Sequence, residues 1–464
     1  MSNQAVPEDV LNFKKRNDWL AILQHYHLQA MDNDMPSDLP LQEKGELLFA
    51  ALHWADDIQS RAKSKTIAEQ AMRAYFWVLD QSDKFAAENP DSFIALSQDA
   101  YAYYSIFLNA NALRRMCKKL RVDDNVNREL GKRSVHLFEN AKQKYEKLLA
   151  MHPDSINNQY RYAHLMRKEL GMSDYKMSRS DLQNLHSLIA PAYQKTIQLY
   201  DAAENKAPYR KAFLHSLYDM ACYLNDNCYE AFWFENCIRS FRAKEEIMIK
   251  EGTTRQGIPW ALKDLRIAEW LMERYFDEVR YPENPSDSDI DRIAKEENFI
   301  VLPMYAYYRK AKIFFFMAAC WESGLKKIYK QRCDDVSVCI HKYEHYLELA
   351  RKNCQWAVDI RFHRKAAGFT DAGGIFPECQ LLAQIYTIDT NYRIEDIEKL
   401  VKMSHGDPLV KYYYAVAVFF LDKENGKSAD RAIGLLDDIA KNTRLTSVAK
   451  KAKKMISDIQ TRFA

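Results

Sequence analysis

The sequence predicts an all-α fold of stacked antiparallel helical hairpins, and three observations carry that expectation. Apolar residues recur at spacings of three and four in almost every segment, the period of a helix, and no segment sustains the alternation of a strand. Only 12 glycines and 13 prolines punctuate 464 residues, which favours long uninterrupted elements over tight turns. The breakers that do occur, NDMPSDLP (33–40), ENPDS (88–92), HPDS (152–155), YPENPSDSD (281–289) and HGDP (405–408), cut the chain into pieces of helical-hairpin size.

Each segment between breakers carries its own signal. Several breakers place Asp or Ser where the next helix needs a side-chain oxygen to accept a free backbone N–H. Within 336–360, Val336, Ile340, Tyr343, Leu347, Ala350, Cys354 and Ala357 form one apolar stripe. The runs IFFFMAACW (313–321) and YYYAVAVFFL (412–421) are half the length a membrane helix needs and read as buried helices. In the last segment Leu445, Val448, Ala452, Met455 and Ile459 share one side, while Lys450, Lys451, Lys453 and Lys454 lie away from it. That pattern suits a solubilising cap on a helical stack better than a nucleic-acid or membrane patch, because no aromatic residues interleave with the lysines.

YPENPSDSDIDRIAKEEN (281–298) is rich in acids and poor in apolar residues. It is the expected hinge, spanning 282–299, between an N-terminal lobe (1–281) and a C-terminal lobe (300–464). RKAAGFTDAGGIFPE (364–378) is a second candidate linker. The nine cysteines are scattered without a CxxC pair, which fits reduced thiols in a cytosol. The formal net charge of +3 implies no global attraction to polyanions, and the N-terminus has no apolar core of signal-peptide length. A cytoplasmic protein is the expectation.

Internal repetition gives the pattern a name. Ala141 and Tyr145 stand four apart, with Pro153 following at a fixed interval, and the same frame puts a small residue, Ala163, where two helices approach. Gln159, Tyr162 and Met166 depart from that frame. After Pro90, Leu96, Ala100, Tyr103, Ala112 and Met116 fit it, with Asp99 the departure. Ile397 and Leu400 recur as Ile433 and Leu436, each a step of 36 residues. These positions resemble the tetratricopeptide (TPR) repeat, a helical hairpin of about 34 residues. Sel1-like and other α-solenoid families share the same features, and an irregular helical bundle is the alternative. The resemblance implies a TPR-like α-solenoid in which the first helix of each hairpin lines a concave surface. The inner stripe after Pro153 is then Asn157, Arg161, His164 and Lys168, and after Pro90 it is Ile94, Gln98, Tyr101 and Ser105. A groove of that composition suits another protein or peptide, an acidic one best. The expected role is a protein–protein interaction scaffold, adaptor or regulatory subunit, without a cofactor; a solvated helix face is the plainer reading of the same stripe.

Two short motifs point toward chemistry. HKYEH (341–345) spells the order of an inverzincin zinc site, but it needs a third, geometrically independent ligand, and Cys333 and Cys339 form no paired knuckle. No metal is expected. RKAFLH (210–215) resembles the R-x4-H motif of HEPN ribonucleases, which are also helical, although Lys211 departs from the small polar residue usual after the arginine. A helical effector enzyme with Arg210 and His215 as its site is therefore the alternative function. No phosphate-binding loop and no serine-hydrolase elbow is present in the sequence.

Overall fold

The computed structural model describes residues 6–173, 179–233, 254–327, 336–369, 376–388, 393–421 and 426–463. Those residues form nineteen α-helices and one short 3-10 turn, with no strand among them. The chain divides into two compact units, Met1–Ser216 and Leu217–Ala464.

The first unit holds α1 (Glu8–Lys15), α2 (Trp19–His25), α3 (Leu41–Ser60), α4 (Lys65–Glu88), α5 (Phe93–Leu120), α6 (Asp124–Val135), α7 (Leu137–Met151), α8 (Ile156–Ser173), α9 (Arg179–Ala202) and the start of α10 (Arg210–Trp233). Helices pack in chain order: α3 on α4, α4 on α5, α5 on α7, α7 on α8, α8 on α9. The shorter α6 touches both α5 and α7. Alternate helices also meet, α3 with α5 and α5 with α8, so these three form a layer of their own. Side-chain caps begin several helices. The Ser64 hydroxyl accepts from the Ile67 N–H at the start of α4, and Ser92 accepts from Ala95 at the start of α5. The stop predicted at HPDS falls where expected, with α7 ending at Met151 and α8 opening at Ile156.

The positions that carried the repeat pattern are not all enclosed: Tyr103, Ala112 and Met116 are half-buried. Ala141, Tyr145 and Ala163 are fully buried, as is Ala100. Asp99, the departure from the pattern, is buried too. Asp99 accepts from Lys144 at 2.6 Å and from the Ser82 hydroxyl at 3.3 Å, while burial, opposed by Lys144, pushes the Asp99 carboxyl up to about 6. Gly45 sets the close approach of α3 to α5: a Cβ there meets the Ile94 side chain at 2.8 Å. Gly45→Leu is therefore expected to overpack this contact and lower stability by about 1–3 kcal/mol, read as a drop in the thermal unfolding midpoint. A midpoint equal to or above that of the native chain counts against the close approach.

The second unit continues α10 and adds α11 (Thr254–Val279), α12 (Asp287–Ala294), α13 (Pro303–Lys327), α14 (Val336–Ala366), α15 (Pro377–Tyr386), α16 (Ile394–Met403), α17 (Pro408–Leu421), α18 (Gly426–Asn442) and α19 (Thr446–Phe463). Packing is again sequential, most extensively between α13 and α14, then α17 on α18 and α18 on α19. The 282–299 stretch lies within this unit and contains α12, which opens with a capping box between Ser286 and Asp289. Of the linker candidate 364–378, residues 370–375 fall outside the described residues.

The stripe read from 336–360 is buried at Ala350, Cys354 and Ala357, whereas Ile340 is exposed. Buried Ile397, Leu400 and Leu436 match the C-terminal spacing. In α19, Val448, Ala452 and Ile459 are buried and the four lysines are exposed. A buried ion pair ties α14 to α15: the Arg361 Nε lies in charge contact with Glu378, whose side chain is fully enclosed, and Arg361 Nη2 donates to the other carboxylate oxygen at 3.3 Å. No helix of the described residues is long and apolar enough to cross a membrane.

Candidate functional site

Side chains three or four residues apart share a helix face, and in the first unit that rule builds a connected run of rings. On α3 the pair is Phe49 and His53, on α5 Tyr101 and Tyr104, on α8 Tyr160 and His164. Trp19, opening α2, stacks on His53 with centroids 4.9 Å apart, and Phe49 lies 4.2 Å from the same imidazole. Phe49 stacks on Tyr101 at 6.0 Å, and Tyr101 on Tyr104 at 6.2 Å. A 2.7 Å hydrogen bond joins the Tyr104 hydroxyl to His164 Nδ1; His164 stacks on Tyr160, and Tyr160 stacks on His215 of α10 at 5.5 Å. Five helices thus contribute to one ladder of aromatic and imidazole rings.

Cations lie over this ladder. Lys14 Nζ is 5.0 Å above the Phe49 ring and paired with Glu46 at 2.5 Å. The Arg161 guanidinium lies 4.1 Å above the Tyr101 centroid, close enough for a strong attraction to the ring face. Its one hydrogen bond to a side chain is donated to Asn158 Oδ1 at 3.3 Å, and among the described residues no carboxylate is within ion-pair distance of it. Asn158 in turn bonds Ser97 of α5, which fixes the base of the arginine.

Two polar atoms beneath these cations have no hydrogen-bond partner among the described residues: His53 Nε2 and the Tyr145 hydroxyl. Burial lowers the His53 pKa; Asp57 opposes the shift, and Arg161, Lys14 and Lys211 deepen it. That direction favours the neutral imidazole. Burial raises the Tyr101 pKa as well, with Arg161 pulling against it. Nearby on α3, burial pushes Asp56 up to about 6 even though the Tyr75 hydroxyl donates to it at 2.5 Å. The face therefore offers hydrogen-bond donors and positive charge over an aromatic floor.

The stripe named from sequence distributes unevenly over this face. Arg161 and His164 join Tyr101 and Tyr104, which brings α8 and α5 together. Gln98 is half-buried beside Gly45 and Ile94, and Asn157 is half-buried on α8, where its neighbour Asn158 makes the bond to α5. Lys168 is exposed and has no carboxylate partner among the described residues, and Ser105 is buried. Trp19, Phe49, His53 and Lys14 carried no sequence signal of their own; the four-residue step from Gly45 to Phe49 to His53 is the one clue that places them on a single face of α3.

Arg210 and His215 both belong to α10. Five residues apart on a continuous helix, they point about 140° from each other; Arg210 is exposed and His215 is half-buried in the ring ladder. His341 and His345 are exposed on α14, and among the described residues no group of three His, Cys, Asp or Glu side chains converges to hold a metal. Cys333 lies outside the described residues. No protein-family model matches the chain, and no curated protein matches it.

Proposed function

We propose that this chain is a TPR-like helical scaffold, an adaptor or regulatory subunit of the cytoplasm, that holds an acidic peptide segment of another protein along the ring ladder of its first unit. The observation that carries the reading is Arg161: a guanidinium held over Tyr101, with most of its donors unused and no carboxylate within ion-pair distance among the described residues. A planar fork of donors kept in place by an aromatic face is suited to grip a carboxylate through two parallel hydrogen bonds. Tyr101 and Tyr160, both partly exposed, add area that is apolar in the ring and polar at the tip, the composition favoured where binding energy concentrates. The sequential packing of hairpins supports the solenoid part of the reading, because stacked hairpins expose their alternate helices as one continuous surface.

Selection from a random peptide library against the purified full chain tests this. Recovered sequences are expected to be enriched in Asp and Glu, and their binding is expected to weaken as salt rises from low to physiological ionic strength. Recovery of neutral or basic sequences, or of acidic ones that bind equally in high salt, rejects it.

A further inference from the structure

We infer that a cavity in the second unit, between α14 and α16, receives an arginine side chain presented by a basic segment of another protein. The site belongs to the second unit alone, and its charge preference is opposite to that proposed for the groove of the first.

Helices α14 and α16 both pack on α15, and the space between them is a cavity of about 280 Å³ that Tyr386 of α15 also lines. Helical spacing brings Gln355, Asp359 and Phe362 of α14 to one wall and Asp396, Lys399 and Met403 of α16 to the other. Val358 and Leu400 form the buried, apolar part of the lining, while Phe362 stands 54% exposed at the mouth. A volume just under the roughly 300–1,000 Å³ of small-molecule sites suits one long side chain better than a whole cofactor.

The charge of the lining decides what that side chain is. Asp359 is half-buried and accepts from Gln355 Nε2 at 2.8 Å through Oδ1, while its Oδ2 accepts from no described residue. Gln355 is held in turn by the Tyr386 hydroxyl, which donates to its Oε1 at 3.2 Å. Among the described residues no cation lies within ion-pair distance of Asp359. Lys399 and Arg393 lie 3.8 and 3.4 Å from Asp396, and His363, one turn further along α14, is engaged with Asp291 of α12 at 2.5 Å. A carboxylate drawn partly out of water without a counter-charge is stabilised by a cation that arrives with a ligand. The rest of the lining selects the guanidinium. Val358, Leu400 and Met403 offer apolar surface to a methylene stem. The Phe362 ring offers a face to a planar cation, on which arginine stacks better than the compact, strongly hydrated ammonium of lysine.

Peptide pools with one central position fixed as arginine, lysine or citrulline, the uncharged isostere of arginine, are captured on the full chain and on two variants. Asp359→Asn preserves shape and keeps an acceptor for Gln355, and Phe362→Ala alters an exposed ring. The arginine pool is expected to be retained about tenfold more than the citrulline pool, with lysine between them. Asp359→Asn is expected to bring arginine and citrulline together, and Phe362→Ala to lower arginine retention about threefold. Equal retention of arginine and citrulline on the native chain overturns the inference. An arginine preference undiminished in both variants overturns its assignment to this cavity, and lysine retained as well as arginine overturns the choice of guanidinium. Free N-acetylarginine amide that competes as strongly as the peptides, mole for mole, identifies a small cation as the ligand and overturns the protein partner.

Discussion

Arg161→Glu is expected to weaken binding of the acidic peptides recovered by selection by at least about 30-fold, since losing and reversing one member of a close charge pair costs roughly 2–5 kcal/mol. The thermal unfolding midpoint is expected to stay near that of the native chain. Both halves follow from the position of the guanidinium. It lies on Tyr101 rather than inside the core, and among the described residues its bond to Asn158 is the one side-chain hydrogen bond lost on replacement. A glutamate there removes the cation–π contact, which contributes about 0.5–1 kcal/mol at an exposed site, and presents like charge to the ligand. Measured affinity and unfolding must therefore separate. A variant that unfolds while retaining affinity per folded molecule shows that Arg161 holds the fold and does not bind.

Glu378→Ala is expected to be the most damaging single change to the second unit, lowering stability by about 3–5 kcal/mol because it leaves a buried arginine without its counter-ion. Arg361 is 9% exposed and Glu378 fully enclosed, and the guanidinium contacts both carboxylate oxygens, donating to one of them from Nη2 at 3.3 Å. Arg361 also lies over Tyr305 and Phe376, so little of the guanidinium reaches water when its partner is removed. The double change Arg361→Met with Glu378→Leu is expected to recover most of the loss, since replacing a buried ion pair with apolar residues of similar volume is often neutral. Urea unfolding of the three proteins checks this. A single variant as stable as the native chain shows that the pair contributes little; a double variant as unstable as the single one shows that the side chains, and not the stranded charge, set the cost.

Some of this was open to a reading of the sequence and some was not. Proline and the polar residues around it act locally, so the stop at Pro153 and the start of α8 were legible from four letters. Burial of Ala141, Tyr145 and Ala163 was legible because small and aromatic residues at fixed spacing have few other uses. Periodicity tells which side of a helix is apolar, but not how far a neighbour extends along it. The stripe in α14 therefore predicted Ile340 and Ala350 alike, although only Ala350 is covered.

At the candidate site, Tyr101, Arg161 and His164 could be named from helical spacing alone. Phe49 and His53 could not, because LLFAALHWA reads as core, and the residues that stack on them lie far along the chain. Their neighbours are decided by how α3 docks on α5, and the determinant of that is the missing side chain of Gly45.

The chain-order packing of helices also bears on how the protein comes apart. Contacts between elements close in sequence form early and cheaply, so folding can begin in any hairpin and spread to its neighbours. The same locality lets one hairpin open without the rest, at the cost of its own interfaces. The ring ladder draws on α2, α3, α5, α8 and α10, so an opening at any of these interfaces breaks the ladder at that rung. A ligand spanning it couples hairpins that are otherwise nearly independent, and its binding energy is spent on cooperativity along the first unit as well as on recognition.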